Sequence, residues 1–314
     1  MKAAAVIDIG SNTIKLLSAE IGKGQVESIA QKSYDARLGG EYQDGQPWLE
    51  PSRRRVALEV VAKLLEFSKQ WDPVKVALVA TSAVREATNR ADFAAEIKSA
   101  TGHCLRILSE EDEARYIAYG IAQDPGLPDP GNFTAFDLGG GSMERTVVEG
   151  GRLVTAQSFR LGAVRLTREL CENNGKKALR KAEIDAIRDK VRDTLPDCGT
   201  LPGLVGSGGA FTITRTILLS RLPGNGDLEQ QRLLASPDYK TLPIECLRSF
   251  TEEISLLPLE ARAAIPHLPM GRADILPTAL HIILATADKY GASSWQPTQF
   301  NLRHGVAKEL LESN

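Results

Sequence analysis

Two short segments, one in each half of the chain, share the same order of residue types. Residues 8–13 read DIGSNT and residues 137–142 read DLGGGS, so glycine and a small hydroxyl side chain follow an acidic residue in both. Each segment follows an apolar run, which predicts that each carboxylate lies at the end of a buried strand. Glycine permits positive φ, and its missing Cβ lets backbone N–H groups surround an anion. Two such loops facing each other would form a phosphate clamp.

Asp8 and Asp137, the acidic residues of these segments, are candidate metal ligands. Carboxylates are hard oxygen ligands, and Mg²⁺ usually keeps several waters while using one or two carboxylates together with substrate phosphates. We therefore expect Mg²⁺, or Mn²⁺ in its place, at these two side chains. One Asp-x-Gly segment alone is more typical of an ordinary turn, but a duplicated pair favours the phosphate interpretation.

An acidic run, Glu110 to Glu113, follows Ser109 and opens a predicted helix. Ser109 with Asp112 three residues later resembles a capping box, and acidic residues in a first turn stabilise a helix. Glu110 and Glu113 both align with Ile117 on the buried side of the helix. Either carboxylate could therefore reach a cleft and act on a water molecule, and this reasoning does not separate the two.

Arg85 is a candidate phosphate ligand because it follows an apolar strand, residues 74–80, through a turn of small residues. A guanidinium in that position could bind phosphate bidentately. A surface ion pair is the alternative interpretation of this side chain.

Composition and motifs exclude several classes of protein. The 314 residues carry a net charge of −2 with a pI near 6.2, which gives no overall attraction for nucleic acid or an anionic membrane. No stretch approaches the roughly 18 apolar residues of a membrane helix. The four cysteines are scattered without a Cys-x-x-Cys pair, and the chain has no P-loop motif. We expect a cytoplasmic protein that uses neither nucleic acid nor a membrane.

Both halves of the chain are predicted to start as a β-meander and to continue into α/β units. A cluster of helix breakers at residues 124–131 marks the predicted boundary between two domains. Residues 223–240 are predicted to form a surface loop. Helices are predicted from about residues 52, 92 and 109 in the first half, and at about 162–171, 181–194, 210–218, 274–290 and 304–311 in the second.

Together these segments resemble the exopolyphosphatase and guanosine pentaphosphate phosphohydrolase family, a branch of the actin, sugar-kinase and heat-shock ATPase superfamily. The resemblance covers nearly the whole chain. Residues 8–13 and 137–144 resemble the two phosphate motifs, residues 80–89 the segment with a site-facing arginine, and residues 109–115 the segment with the catalytic glutamate. Further family-like segments are residues 162–167, 206–209 and 271–274.

The resemblance implies an α/β fold of two duplicated actin-like, sugar-kinase-like (ribonuclease H-like) domains with an interdomain cleft. Residues 1–125 would form the first, an actin-like ATPase-type domain, together with a C-terminal helix at about 301–314 that packs back on it. Residues 126–300 would form the second actin-like domain. A C-terminal His-Asp-type domain found in longer members is absent, so the chain resembles the short two-domain branch.

The resemblance also implies an activity, namely hydrolysis of the terminal phosphoanhydride of inorganic polyphosphate. Glu113 aligns with the glutamate of the family's Glu-Ala-Arg and would be the catalytic base. Arg85 would neutralise charge on the transferred phosphoryl group, and Asp8 and Asp137 would hold Mg²⁺. The phosphate-binding residues would be Gly10, Ser11, Asn12, Thr13, Gly139, Gly140, Gly141, Ser142, Glu144, Gly208 and Gly209.

Three alternatives remain open at this point. Residues 109–115 read SEEDEAR where the family usually has Ser-Gly-x-Glu-Glu-Ala-Arg, so a glycine and a glutamate are replaced. That change motivates a non-catalytic binder of polyphosphate or alarmone as one alternative. Hydrolysis of guanosine pentaphosphate and an ATP-dependent kinase activity are the others. Family analogy also points to a homodimer.

Overall fold

A computed structural model describes residues 2–22, 24–199, 201, 204–221 and 241–313. The surface loop predicted at residues 223–240 lies outside this described part of the chain. Two mixed β-sheets with helices packed against them make up most of what is described.

The first sheet opens with the predicted meander. Apart from Asp8, its central strand β1 has only buried apolar residues because helices cover both faces of the sheet. The order is β3-β2-β1-β6-β7. Strands β1, β2 and β3 pair in antiparallel fashion, and β6 and β7 continue the sheet parallel to β1. The strands are β1 (Ala4–Ile9), β2 (Thr13–Gly22), β3 (Gln25–Asp35), β6 (Lys75–Ala80) and β7 (Leu105–Ile107).

The second sheet repeats this order and adds one short strand at its edge. Its order is β10-β9-β8-β11-β13-β12, with an antiparallel meander followed by two parallel additions. The strands are β8 (Phe133–Leu138), β9 (Met143–Glu149), β10 (Arg152–Phe159), β11 (Leu204–Ser207), β12 (Leu242–Pro243) and β13 (Ser294–Pro297). The repeated order confirms the predicted α/β fold with duplicated halves.

Helices of the first half begin close to where the sequence predicts. Glu50 caps α1 by accepting a hydrogen bond from the Arg53 N–H, and Ser109 caps α4 by accepting one from the Asp112 N–H at 3.0 Å. A small hairpin, β4 (Tyr42–Gln43) with β5 (Gln46–Pro47), was not expected. The helices are α1 (Pro51–Ser68), α2 (Ser82–Glu86), α3 (Arg90–Thr101) and α4 (Glu110–Ile121).

Helices of the second half surround α10 (Leu276–Tyr290), which is buried almost all round and therefore carries no polar face. Their bounds are α5 (Ala163–Leu170), α6 (Lys181–Thr194), α7 (Gly209–Ser220), α8 (Ile244–Ser255), α9 (Leu259–Ala263) and α10 (Leu276–Tyr290). No described helix is both long and apolar enough to cross a membrane.

The last helix, α11 (Leu302–Glu312), returns to the first sheet as expected. It packs on β1, β2 and α4, and Arg303 donates a hydrogen bond to the Leu16 carbonyl at 3.0 Å. A Cβ on Gly120 of α4 would overlap the Asn301 carbonyl at the start of α11, and a Cβ on Gly305 of α11 would overlap the Tyr116 carbonyl of α4. The crossing of these two helices therefore requires glycine at both positions.

Three groups of buried apolar residues hold the fold. One lies within the second half around α10, one lies between the first sheet and helices α1 and α3, and the third joins the two halves through α4 and α11. Because α4 also packs on β9 and β10, this helix contacts both sheets. The division into domains at residue 125 stays a prediction.

Candidate phosphate-binding and catalytic site

The two glycine loops adopt the same turn. The Gly10 N–H donates to the Thr13 carbonyl at 3.1 Å, and the Gly139 N–H donates to the Ser142 carbonyl at 3.0 Å. Each turn joins the first two strands of its sheet, so the loops occupy equivalent places in the duplicated halves. The sequence pattern therefore corresponds to a real structural repeat.

The carbonyl groups of both loops are bound from behind by the segment that follows the third strand of each meander. Ala36 and Arg37 N–H groups donate to the Asn12 carbonyl, and the Ala163 and Val164 N–H groups donate to the Gly139 and Gly140 carbonyls. These bonds span 2.9 to 3.0 Å. The carbonyl oxygens are thereby turned away from the cleft.

The N–H groups of the same loops have no such partners. Within the described chain, the backbone N–H groups of Ser11, Asn12, Gly140 and Gly141 donate no hydrogen bond. Both loops line one cleft with about 700 Å³ of open volume. Unpaired N–H groups that face a cleft carry fixed partial positive charge, and an anion can satisfy them.

Glycine permits positive φ and lacks a Cβ, and only the second property is used in these loops. Gly10, Gly139, Gly140 and Gly141 all lack positive φ. Space explains the glycines of the second loop instead. A Cβ on Gly140 would lie 3.0 Å from the Ser11 Cβ, and one on Gly141 would lie 2.8 Å from the Ser11 hydroxyl.

Gly208, in contrast, needs its glycine for both reasons. Its φ is 105°, and a Cβ would overlap the Leu138 carbonyl at the end of β8. Gly208 and Gly209 start helix α7, whose N-terminus faces the cleft. The predicted phosphate-binding position of these two residues agrees with their place in the cleft, although the role itself stays a prediction.

Asp8 near the end of β1 and Asp137 near the end of β8 both line the cleft. Burial raises the pKa of both carboxyl groups, and the Asp137 charge raises that of Asp8 further. Asp137 accepts a hydrogen bond from the Ser207 hydroxyl, whereas Asp8 Oδ1 is buried without a partner among the described residues. An unpaired carboxylate oxygen beside a second carboxylate fits a Mg²⁺ ion that completes its coordination with water and phosphate oxygens.

Glu113 rather than Glu110 reaches the cleft. Glu113 is buried and lines it, whereas Glu110 is exposed beside a different surface depression. Glu113 Oε2 accepts a hydrogen bond from Arg85 at 2.7 Å. Burial raises the Glu113 pKa to about 7, and Arg85 opposes that shift. A carboxyl group with this pKa exchanges a proton readily at neutral pH.

Arg85 does not line the cleft in this structure. Its Nη1 donates to Glu113 and also, at 3.0 Å, to the Leu108 carbonyl. The Arg85 guanidinium thus holds the Glu113 carboxylate without itself lining the cleft. Its predicted contact with a transferred phosphoryl group stays a prediction.

Glu144 lies near Glu113 on the same side of the cleft. Its pKa is raised well above the ordinary value, first by burial and then by the Glu113 charge. Its Oε1 accepts a hydrogen bond from the Ser158 hydroxyl at 2.9 Å. Two neighbouring carboxyl groups with raised pKa values favour a state in which one keeps its proton. Burial favours the protonated form of Glu144, and its predicted contact with phosphate stays a prediction.

Two cations at the cleft were not predicted. Lys15 lines the cleft from β2, and its ammonium group makes no hydrogen bond or ion pair with any described residue. Burial, followed by the charges of Arg272 and Arg303, lowers the Lys15 pKa to about 8. Arg272 donates a hydrogen bond to the Thr13 hydroxyl at 2.9 Å.

The structure brings nearly all the predicted site residues together. All of them except Arg85 line the cleft. Thr81 and Ser82, from the predicted arginine segment, are additional lining residues. The predicted residues that line it are Asp8, Gly10, Ser11, Asn12, Thr13, Glu113, Asp137, Gly139, Gly140, Gly141, Ser142, Glu144, Gly208 and Gly209.

The fold and this cleft define a duplicated α/β protein that presents free backbone N–H groups beside carboxylates. Residues 18–314 match the sequence profile of the Ppx/GppA phosphatase family, and the chain belongs to that family. Exopolyphosphatase 2 of Mycobacterium tuberculosis is 28% identical over 98% of both chains. The guanosine-5'-triphosphate,3'-diphosphate pyrophosphatase of Aeromonas hydrophila is 26% identical over 99% of this chain, which spans only 60% of that relative.

Solved structures show the same fold. An exopolyphosphatase from Cytophaga hutchinsonii has a TM-score of 0.86 at 20% identity, with 99% of this chain and 98% of that one covered. The Aquifex aeolicus member of the Ppx/GppA family has a TM-score of 0.77 at 22% identity, with 100% and 99% covered. The predicted family resemblance is therefore confirmed.

Proposed function

We propose that this protein hydrolyses the terminal phosphoanhydride of inorganic polyphosphate and releases orthophosphate. The observation that carries the proposal is a single cleft in which two loops with free N–H groups lie beside Glu113, whose pKa is about 7. The loops can bind an anion while the carboxylate accepts a proton from water. The Mycobacterium relative, matched along 98% of its length, bears the name exopolyphosphatase 2 and supports this substrate.

Glu113 is the base in this mechanism. Its ionised form would accept a proton from a water molecule as the water oxygen attacks the terminal phosphorus. Arg85 keeps the carboxylate in place through the 2.7 Å hydrogen bond, and the capped start of α4 fixes the backbone that carries it. Burial raises the Glu144 pKa and so favours its uncharged form, which would not repel the incoming phosphate.

The loops and cations supply the rest of the catalysis. Phosphoryl transfer depends mainly on positioning and on stabilising charge that spreads over the phosphoryl oxygens. The N–H groups of residues 11–12 and 140–141 would orient those oxygens, and Lys15 would neutralise part of their charge. Asp8 and Asp137 would hold Mg²⁺ or Mn²⁺, which when bound neutralises phosphate charge.

The test replaces the base. Glu113→Gln should lower kcat on polyphosphate by about 10²- to 10⁴-fold, and Glu110→Gln, an exposed change in the same helix turn, should leave it unchanged. Wild-type kcat/KM should rise from about pH 6 to pH 8, because Glu113 acts ionised and its pKa is about 7. Phosphate release at a range of pH values measures both.

Three results would count against the proposal. Full activity in Glu113→Gln would remove the base from the mechanism. Saturable binding of polyphosphate without phosphate release under Mg²⁺ or Mn²⁺ would make the protein a binder, and transfer of phosphate to an organic acceptor would make it a kinase.

Guanosine pentaphosphate is the second candidate substrate. The Aeromonas relative is named for a guanosine nucleotide of this kind, although this chain spans 60% of it. The ratio of kcat/KM on the two substrates decides between them.

A cytoplasmic location and a homodimer belong to the same proposal. The unpaired cysteines of the described chain support the location, and family analogy supports the homodimer.

A further inference from the structure

The cleft opens in two directions. One opening is a groove of about 1420 Å³ lined by Lys15, Asp35, Arg272, Gln299 and Arg303, here called the basic groove. The other is an opening of about 830 Å³, here called the acidic opening, whose charged residues are Glu41, Glu86, Arg165, Arg168 and Glu169. Both share residues with the glycine loops, so either could admit a long substrate.

The cations of the basic groove are available to an anion. Lys15 and Arg272 line both the cleft and the groove, at the place where one passes into the other. The Lys15 ammonium has no partner among the described residues. Arg303 lies beside them and holds the Leu16 carbonyl and the Gln31 side chain. Three neighbouring cations repel one another, and an anion between them would relieve that cost.

Lys32 does not add to this group, although part of it borders the groove. Its ammonium lies 4.3 Å from the centre of the Phe67 ring, a contact made toward α1. Asp35 is the one acidic side chain among the described residues that line the groove. The groove is therefore positive overall.

The cations of the acidic opening are already neutralised. Arg165 donates two hydrogen bonds to Glu86, at 2.7 and 2.9 Å, and Arg168 pairs with Glu41 at 3.3 Å. Glu169 adds a further negative charge. Much of the remaining lining is apolar, including Trp48. A polyanion gains nothing from these groups and is repelled by the net charge.

The position of Glu113 also favours the basic groove over the acidic opening as the path of the substrate. Attacking and leaving oxygens lie roughly in line across the transferred phosphorus. Glu113 and Glu144 line the cleft but not the basic groove, whereas Lys15 and Arg272 line both. A leaving phosphate chain directed toward the cations would have its developing negative charge stabilised there.

We propose that the polyphosphate chain behind the scissile anhydride lies in the basic groove, with Lys15 and Arg272 contacting the phosphates nearest the reaction. The inference rests on the proposed function and extends it, because it assigns a direction to the substrate. Longer chains would occupy more of the groove, toward Gln299 and Asp35.

The test uses single-charge changes that keep the shape of the side chain. Asp35→Asn removes a negative charge from the groove, Gln299→Glu adds one, and Glu169→Gln is the matched control in the acidic opening. KM and kcat are measured at low ionic strength, where charge effects are least screened, on tripolyphosphate and on long-chain polyphosphate. Orthophosphate inhibition and guanosine pentaphosphate hydrolysis are measured in parallel.

For long chains, KM should fall about two- to fivefold in Asp35→Asn and rise by a similar factor in Gln299→Glu, with kcat unchanged. Tripolyphosphate should respond less, because fewer of its phosphates lie behind the scissile anhydride. Glu169→Gln should leave KM unchanged for both substrates.

Three results would overturn the inference. A long-chain KM that follows Glu169→Gln and ignores the groove variants would place the chain in the acidic opening. Groove variants that change only orthophosphate inhibition would make the groove a product path, and variants that change only guanosine pentaphosphate KM would make it a nucleotide site. A wild-type protein that releases no phosphate from either polyphosphate defeats the proposed function itself, which is a separate outcome.

Discussion

The two sheets carry matching rows of three residues behind their glycine loops, and the rows differ at one position. Each row starts with an aspartate in the first strand of the meander and ends with a serine in the third. The middle residue is a cation in the first sheet and an acid in the second. The rows are Asp8, Lys15 and Ser33 in the first sheet, and Asp137, Glu144 and Ser158 in the second.

This difference gives a symmetric scaffold a chemical direction. Duplication alone would place two equal loops and two equal carboxylates around a phosphate. Lys15 instead makes one side of the cleft positive, while Glu144 adds a second carboxyl group beside Glu113 on the other. We infer that proton transfer belongs to the second sheet's side and that stabilisation of the leaving chain belongs to the first.

Removing the cation should have the largest effect on this asymmetry. Lys15→Met should lower kcat/KM on polyphosphate by about 10²- to 10³-fold, the size of effect seen when one preorganised charge-stabilising group is lost. Phosphate release measures the loss. The cleft would then have negative charge on both sides.

Lys32→Met is the matched control, because the Lys32 ammonium contacts the Phe67 ring away from the cleft. It should keep wild-type activity, and urea unfolding of both variants checks that the fold is retained. Equal losses in the two variants would show that general surface charge, not the position of Lys15 in its row, matters.

Replacing Glu144 by an uncharged residue should lower activity less than Lys15→Met does, and it should change how the free energy of unfolding depends on pH. Glu144→Gln should lose less than about tenfold in kcat, far below the loss from Glu113→Gln, because burial favours the protonated form of Glu144, which Gln resembles in charge. A loss as large as that of Glu113→Gln would mean that Glu144 is ionised during turnover.

The stability of this variant tests the sign of the same pKa shift. Folding raises the Glu144 pKa, so its contribution to stability is full below the unfolded value near 4.5 and is lost as pH rises toward the folded value. The wild type should therefore lose stability with rising pH through this range, and Glu144→Gln should lose less. Urea unfolding at several pH values compares the two slopes.

The loops, the capped start of α4 and the duplicated meanders could all be predicted, since each depends on residues close together in sequence. Lys15 was missed because its role depends on strand register. The Gly10 to Thr13 turn sets Lys15 opposite Asp8, and knowing that turn length would have been the signal. Residues 271–274 were identified as family-like, but the place of Arg272 at the cleft was missed because the segment is distant in sequence. The Asn12 side chain, which donates to the Gly271 carbonyl, holds this segment to the first loop.

The contacts that Arg85 and the loop glycines make could not be predicted, for a similar reason. A turn after a strand predicts that an arginine is near the site, but only packing shows that its Nη1 contacts Glu113 and Leu108. The glycine pattern indicates an open backbone, yet the close approach of Gly140 to Ser11 depends on how the two halves meet.

The serines at the ends of the two rows provide the finest comparison and the smallest expected effect. Ser158 donates a hydrogen bond to Glu144 at 2.9 Å, whereas Ser33 is exposed and has no partner among the described residues. Ser158→Ala should therefore lower the free energy of unfolding by about 1 kcal/mol, because a carboxyl oxygen of the buried Glu144 loses its donor. Ser33→Ala should stay within about 0.5 kcal/mol of wild type. Urea unfolding at pH 7 measures both, and equal values would mean that the Ser158 bond adds nothing and that the acid is held by burial alone.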